Sequence, residues 1–128
     1  SNCNNRGVPL LGSGVWGTEG LAPEQLSFAN FKDIPIPDDS VMDMENTVIF
    51  GSDEEWFGRL TIIPNQSHAE TFDFFRFEMP NLSWKEITNV RSTSSVLSYE
   101  KNNRVVTIQI SNHYGKTLCS INMSPKKQ

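Results

Sequence analysis

Cysteine is scarce in this chain and follows no metal-binding pattern. Only two of the 128 residues are Cys, and they lie near opposite ends, at Cys3 and Cys119. A disulfide between them would join a terminal segment to a predicted strand, and we do not expect it. The two histidines, His68 and His113, show none of the paired spacing that a tetrahedral zinc site needs. We therefore expect no metal and no cofactor.

Long apolar runs and clustered positive charge are also lacking. The longest apolar runs are far shorter than the ~20 residues of a membrane-spanning helix. The formal net charge is -4, and the basic residues are scattered except at Lys126 and Lys127. Because no basic field is present to neutralise phosphates, we do not expect nucleic acid as a partner.

Catalytic motifs are missing as well. No Gly-x-Ser-x-Gly turn surrounds Ser92 or Ser95, and neither His68 nor His113 has an acid or nucleophile beside it in the sequence. The sequence leaves open whether the fold brings an acid or a nucleophile to either histidine. Residues 53–55 are acidic but lack the ligand spacing of a calcium loop, so we interpret them as a solvated turn. The sequence predicts a protein that is not an enzyme.

The amino terminus carries the main indication of location. Ser1 and Asn2 resemble residues left by cleavage of an expression tag, which makes Cys3 the first native residue. A chain that begins at Cys is typical of a mature bacterial lipoprotein, whose acylated Cys anchors it in a membrane. Asn4 is not the Asp that holds lipoproteins in the inner membrane in enteric-type sorting, which favours the periplasmic face of the outer membrane. The alternative is that Cys3 has no such role.

The first 46 residues are predicted to be irregular. Residues 1–2 are the cleavage remnant, residues 3–22 a tether and docking arm rich in Asn, Gly and Ser, and residues 23–46 a Pro-rich lead-in. The arm offers apolar surface that can dock on the domain or on a neighbouring molecule, including a second copy. Its apolar residues are Val8, Leu10, Leu11, Val15, Trp16 and Leu21.

Residues 47–124 are predicted to fold as a ββαβββ domain, followed by a tail at residues 125–128. Residues 47–50 and 56–63 read as two strands of a hairpin. Ser67 and Glu70 fit a capping box that starts a helix, and Pro80 ends it. The predicted apolar stripe of the helix consists of Ala69, Phe72, Phe75 and Met79, widened by Phe74 and Phe77.

Three further strands are predicted after the helix. The first runs from the stretch at 82–87 into residues 90–99, and the others, at 104–110 and 117–123, alternate apolar and polar residues. Turns are expected at 102–103 and 113–116. The predicted fold class is therefore α+β, with one antiparallel sheet, a single helix packed on one face and an irregular N-terminal arm.

Several stretches between Thr47 and Met123 resemble small bacterial envelope lipoprotein domains of uncharacterised function. They are residues 56–60 (WFGRL), residues 71–80 (TFDFFRFEMP), Trp84, residues 95–99 (SVLSY) and the charged turn at 100–104. The helix-on-sheet domains of the lipoprotein C subunit of the barrel assembly machine are a looser relative. Ser83 stands where such domains usually have Gly before the Trp. The resemblance implies a fold and a location, with no catalytic residues to carry over.

These observations lead to one expected function and one alternative. We expect a periplasm-facing lipoprotein, anchored through Cys3, that acts as a binding or scaffold module in an envelope assembly such as a secretion or outer-membrane machine. It would use an exposed sheet edge or aromatic patch, with Trp16, Trp56 and Phe74 as the candidate interaction surface. The alternative is a carrier of small apolar ligands, with a pocket between helix and sheet.

Overall fold

A computed structural model describes residues 26–127. They form one seven-stranded sheet and one α-helix. The elements are β1 (Val41–Met42), β2 (Val48–Phe50), β3 (Phe57–Ile63), α1 (His68–Asn81), β4 (Lys85–Val90), β5 (Ser95–Lys101), β6 (Arg104–His113) and β7 (Lys116–Pro125). All strand pairs are antiparallel, in the order β1-β3-β7-β6-β5-β4, and β2 pairs with β3 beside β1. The α+β class with one antiparallel sheet is confirmed.

The sheet is larger than the predicted five strands. The stretch predicted as one strand up to Tyr99 is two strands, β4 and β5, separated by a turn. Within that turn Ser92 donates its backbone N–H to Ser95 Oγ at 3.1 Å, and Ser94 donates to Ser92 Oγ at 3.2 Å. Such local bonds from serine side chains compete with a continuing strand. The second addition is β1, which pairs with the end of β3.

The two predicted tight turns are confirmed. Asn102 and Asn103 have φ of 51° and 66°, and Tyr114 and Gly115 have φ of 52° and 79°. Two consecutive residues with positive φ form the type I′ geometry, whose twist matches that of antiparallel strands. These turns set the register of β5 on β6 and of β6 on β7.

The helix begins and ends with hydrogen bonds that the sequence specifies. Glu70 donates its N–H to Ser67 Oγ at 3.1 Å, and Ser67 donates its N–H to Glu70 Oε1 at 2.9 Å, which confirms the capping box. At the other end, Trp84 N–H bonds Met79 O and Ser83 N–H bonds Pro80 O, a Schellman pair. Ser83 has φ 71°, in the left-handed region.

The core lies between one sheet face and the helix, which contacts β4, β5 and β6. From the helix, Phe72, Phe75 and Met79 are buried as predicted. The predicted stripe is too wide, however, because Ala69 is exposed and Phe77 is 70% exposed. The helix wheel places Phe77 directly opposite the buried face. The sheet contributes Leu60, Ile62, Leu97, Tyr99, Val106, Ile108, Ile110, Cys119, Ile121 and Met123.

The lead-in is part of the folded unit. Phe31 and Ile34 are 2% and 3% exposed and belong to the same core, and the Phe31 ring meets the Trp56 ring edge-on at 5.1 Å. The core of the domain predicted at residues 47–124 therefore also includes side chains from the lead-in. The predicted tether at residues 3–22, with Cys3 and Trp16, lies outside the described residues.

Candidate interaction surface

The sheet face opposite the helix is not covered by any α-helix or second sheet of the described chain. We call it the open face. Strand register brings its side chains into rows, because residues paired across an antiparallel sheet point to the same side. One row crosses the sheet from edge to edge: Val48, Arg59, Asn122, Thr107, Ser98 and Thr88. The side chains of this row are half-buried or exposed.

The centre of the open face is neutral and polar. Ser98 and Thr107 face each other with their hydroxyl oxygens 3.5 Å apart, and Asn122 donates from Nδ2 to Ser120 Oγ at 3.1 Å. Gln109, paired with Ser120, is exposed. A polar outer face is the usual complement of a buried inner face in an antiparallel sheet. The centre alone therefore gives no evidence of binding.

The β2 end of the open face is apolar. Phe50 pairs with Phe57, and Val48 pairs with Arg59, so all four side chains share this face. Phe50 is 64% exposed and Val48 44% exposed, while Phe57 is half-buried. We call Val48, Phe50 and Phe57 the apolar patch. Exposed aromatic side chains beside an arginine are typical of protein interfaces.

The free sheet edges are poorly suited to strand addition. On one side the edge consists of β1 and β2, which have only two and three residues. On the other side, β4 carries a register shift between Glu86 and Thr88. Short edge strands and bulges are features that block pairing with another strand. Side-chain packing on the apolar patch is the more favourable mode of contact.

The predicted interaction residues fall in different environments. Trp56 is 0% exposed, because it packs on Phe31 and donates its indole N–H to Asp33 Oδ1 at 3.1 Å. This removes Trp56 from the candidate surface. Phe74 is half-buried at the margin of the core, with its ring edge-on to Phe75 at 5.2 Å. Trp16 and Cys3 lie outside the described residues.

The exposed residues Val48 and Phe50 were missed at the sequence level. The sequence predicts an ordinary strand at residues 47–50, although Val48, Ile49 and Phe50 are consecutive apolar residues. Successive side chains of a strand point to opposite faces. A three-residue apolar strand beside a one-sided core must therefore expose some of these residues. The run of three apolar residues is therefore the sequence signal for exposed side chains on this strand.

The fold brings one histidine and one serine together. His68 Nε2 lies 2.7 Å from Ser95 Oγ, across 27 residues of sequence. Ser95 is 0% exposed, and its hydroxyl also accepts from Ser92 N–H and lies 3.1 Å from Ser92 O. A nucleophile must reach its substrate, and this oxygen does not reach the surface. The contact therefore joins the start of α1 to the β4–β5 turn and supplies no exposed nucleophile.

The acidic residues are not assembled into a site. Asp53, Glu54 and Glu55 form an exposed single turn of 3-10 helix. Across residues 26–127 no group of three or more His, Cys, Asp and Glu side chains is placed to hold a metal ion. His113 is exposed at the β6–β7 turn, with its ring 4.4 Å from that of Tyr114.

An open cleft of about 680 Å³ lies where α1 begins, at one end of the sheet. Its lining includes the charged residues Asp39, Glu70 and Lys116. The carrier alternative instead needs an apolar pocket between helix and sheet. That space is filled by Phe72, Phe75 and other side chains that are at most 3% exposed. The packing therefore argues against the carrier.

Burial and charge change the pKa of three side chains. Burial, aided by the negative charge of Glu86, raises the pKa of Tyr99 to about 12, and the Tyr99 hydroxyl has no hydrogen-bond partner among the described residues. Burial also raises the pKa of the Cys119 thiol, which makes it a poor nucleophile. On the surface, the hydrogen bond from Lys126 lowers the pKa of Glu100.

Comparison with known proteins adds no further evidence. The chain matches no protein-family model, no curated protein and no solved structure. In residues 26–127 no helix is long and apolar enough to cross a membrane.

Proposed function

We propose that this protein is a lipoprotein of the bacterial cell envelope, anchored through Cys3 at the periplasmic face of the outer membrane. Its domain serves as a binding or scaffold module for a protein partner in an envelope assembly, such as a secretion or outer-membrane machine. The anchor is supported by the resemblance of residues 47–123 to envelope lipoprotein domains, and Cys3 offers the thiol that would carry the lipid. It does not require a membrane-spanning helix.

The apolar patch is the observation that carries the binding proposal. Phe50 is 64% exposed, although the large side chains of the core are at most 3% exposed. Leaving apolar surface in water is unfavourable by about 25 cal/mol per Å², so burial of this ring under a partner is favourable. Arg59, beside Val48, can add polar contacts at the rim. The neutral rows of Ser, Thr and Asn allow a partner to extend across the sheet without burying unpaired charge.

A non-catalytic role is supported by the two features that come nearest to a catalytic site. Ser95 is buried beside His68, and the Cys119 thiol is buried with a raised pKa. Neither presents an activated nucleophile to a substrate.

Membrane fractionation tests the anchor. Replacing Cys3 by Ser removes the thiol that would carry the lipid, so Cys3→Ser should move the protein from the membrane fraction to the soluble periplasmic fraction. Cys119→Ser serves as the control for loss of a thiol and should stay in the membrane fraction. Retention of the Cys3→Ser protein in membranes would show that the anchor is wrong.

Co-purification from native membranes tests the binding surface. The full lipidated chain is compared with Phe50→Ser and with Phe77→Ser, a matched control whose exposed ring lies on the outer side of the helix. A specific partner should be recovered with the unmodified chain and with Phe77→Ser, and lost with Phe50→Ser. Equal recovery with all three proteins, or recovery of the chain alone, would count against the proposal.

A further inference from the structure

The apolar patch lies close to the point where the described chain begins. Leu26 lines a small cleft together with Ile49 and Gly51, next to Phe50 at the end of β2. The described chain therefore begins beside β2. Because β2 has a free edge of only three residues, a short length of chain suffices to pass from the Ile49 side to the open face.

The preceding sequence contains a segment suited to this patch. Residues 7–16 (GVPLLGSGVW) carry no charged side chain and include Val8, Leu10, Leu11, Val15 and Trp16. Nine residues lie between Trp16 and Leu26, and the ten Cα–Cα steps that join them allow a reach of roughly 33 Å. Gly17 and Gly20 lie between them, and glycines permit the chain to reverse direction. Segment 7–16 therefore matches the patch in polarity and can reach it.

The size of the patch favours an occupant from the same chain. The three side chains alone are far fewer than the ~20–30 residues per partner of a stable protein interface, so a separate protein must also cover the polar rows of the open face. A tethered segment instead binds at an effective concentration in the mM range, so a small contact is sufficient. A second copy would need a larger surface to associate at ordinary protein concentrations.

We infer that residues 7–16 of this chain pack on the apolar patch formed by Val48, Phe50 and Phe57. The inference does not depend on the proposed function, because it concerns the purified chain alone. If the binding proposal also holds, the partner and this segment share the apolar patch.

Disulfide trapping in the full chain tests the inference. In a Cys3→Ser background, Val15→Cys is combined with Val48→Cys or with Val90→Cys. Val90 is the matched control, since it is an exposed valine at the opposite edge of the same face. It lies about 25 Å from Val48, given a strand spacing of about 4.8 Å. Cys119 is buried and should not take part.

The rates of intramolecular disulfide formation give the result. We expect the 15–48 pair to form its bond at least about tenfold faster than the 15–90 pair, since docking raises the local concentration at one site only. Equal rates would overturn the inference. A bond between two chains at position 48 would also overturn it, and would assign the patch to a second copy.

Tryptophan fluorescence provides an independent measurement on proteins without added cysteines. Trp56 and Trp84 are 0% and 2% exposed, so acrylamide quenching reports mainly on Trp16. We expect Phe50→Ser to increase quenching and Phe77→Ser to leave it unchanged. Full quenching of Trp16 in the unmodified chain would contradict docking, whatever the outcome for the proposed partner.

Discussion

Asp33 and Arg104 form a buried ion pair that joins the lead-in to the sheet. Arg104 Nη2 lies 2.6 Å from Asp33 Oδ2, and both side chains are at most 7% exposed. Asp33 Oδ1 accepts the Trp56 indole N–H, Asp33 O accepts that of Trp84 at 2.8 Å, and Arg104 Nη1 donates to Trp56 O. The Asp33 carboxylate thus pairs with the Arg104 guanidinium, and both carboxylate oxygens accept hydrogen bonds, as a buried ion pair requires.

Asp33→Ala should strongly destabilise the protein. The change leaves the Arg104 guanidinium buried without its counter-charge and the Trp56 N–H without its acceptor, which costs about 3–5 kcal/mol of unfolding free energy. Urea unfolding measures the loss. Asp73→Ala breaks the exposed pair of Asp73 with Arg91 and is the control, with an expected cost below about 1 kcal/mol. Similar losses for the two variants would show that the buried pair has no special role.

Tyr99 predicts how stability changes at alkaline pH. Its pKa is raised from 10.0 to about 12 in the folded protein, so the folded state holds this proton more tightly than the unfolded state. The stabilisation of the folded state by the bound Tyr99 proton, relative to the ionised form, is present below pH 10 and is lost as the pH rises from 10 to 12. Tyr99→Phe should therefore lose less stability over this range than the unmodified chain, when unfolding is measured by denaturant at each pH.

The same variant has a second expected outcome at neutral pH. Because the Tyr99 hydroxyl is buried without a hydrogen-bond partner among residues 26–127, removing it should leave stability unchanged or raise it. A loss above about 1 kcal/mol at pH 7 would indicate a hydrogen bond to this hydroxyl.

Ser83→Gly should stabilise the end of the helix. Ser83 adopts φ 71° in the Schellman pair after α1, and glycine adopts this conformation without the steric cost that a Cβ imposes. The left-handed conformation costs an L-residue about 1–2 kcal/mol, and the extra conformational entropy of glycine offsets about 0.5–1 kcal/mol of this, so we expect a net gain of roughly 0.5–1 kcal/mol in unfolding free energy. Ser124→Gly, at an exposed position in β7, is the matched control and should destabilise, because glycine weakens a strand. A loss of stability with both variants would contradict the argument.

Gly58→Ala should separate β2 from β3. A Cβ at Gly58 would clash with the backbone oxygen of Val48, and the φ of 123° at this position is unfavourable for any residue with a side chain. Since backbone must move to relieve the clash, we expect a cost of at least about 2 kcal/mol. Amide hydrogen exchange should show loss of protection in β2 and at residues 57–59. Gly115→Ala is the comparison and should cost less stability. A Cβ there meets nothing within 4 Å, although the φ of 79° still favours glycine.

Ser95 should be inert to reagents that trap catalytic serines. A fluorophosphonate needs an accessible, activated hydroxyl, whereas Ser95 is 0% exposed. Intact-mass measurement should show no added group on the folded chain. Ser95→Ala should still destabilise by about 1–2 kcal/mol, because Ser92 N–H and His68 lose a partner. Covalent labelling of Ser95 would contradict the non-catalytic interpretation.

Local structure was largely predictable from sequence. Ser67 and Glu70 were recognised as a capping box because both bonds form within four residues, and the Asn102–Asn103 turn because its φ values suit asparagine. The β4–β5 turn is not evident from the sequence. Its hydrogen bonds join serines, and serine is also compatible with a strand.

The candidate surface was much less predictable. Trp56 and Phe50 are both large aromatic residues close together in the sequence, and only one of them is buried. Trp56 is covered by Phe31 and Asp33, more than 20 residues earlier, whereas Phe50 lies on the uncovered side of a short edge strand. Burial depends on which distant segment packs on a side chain, and alternation along a strand does not contain that information.

For this protein, the sequence alone determined the elements whose hydrogen bonds are local: the start of the helix, the type I′ turns and the alternation of the long strands. The tertiary structure decided which faces of those elements are covered. It brought Asp33 to Arg104 across 71 residues and placed the lead-in in the core. It also left Val48 and Phe50 on an open face, because non-local packing sets the free energy of burial for each side chain.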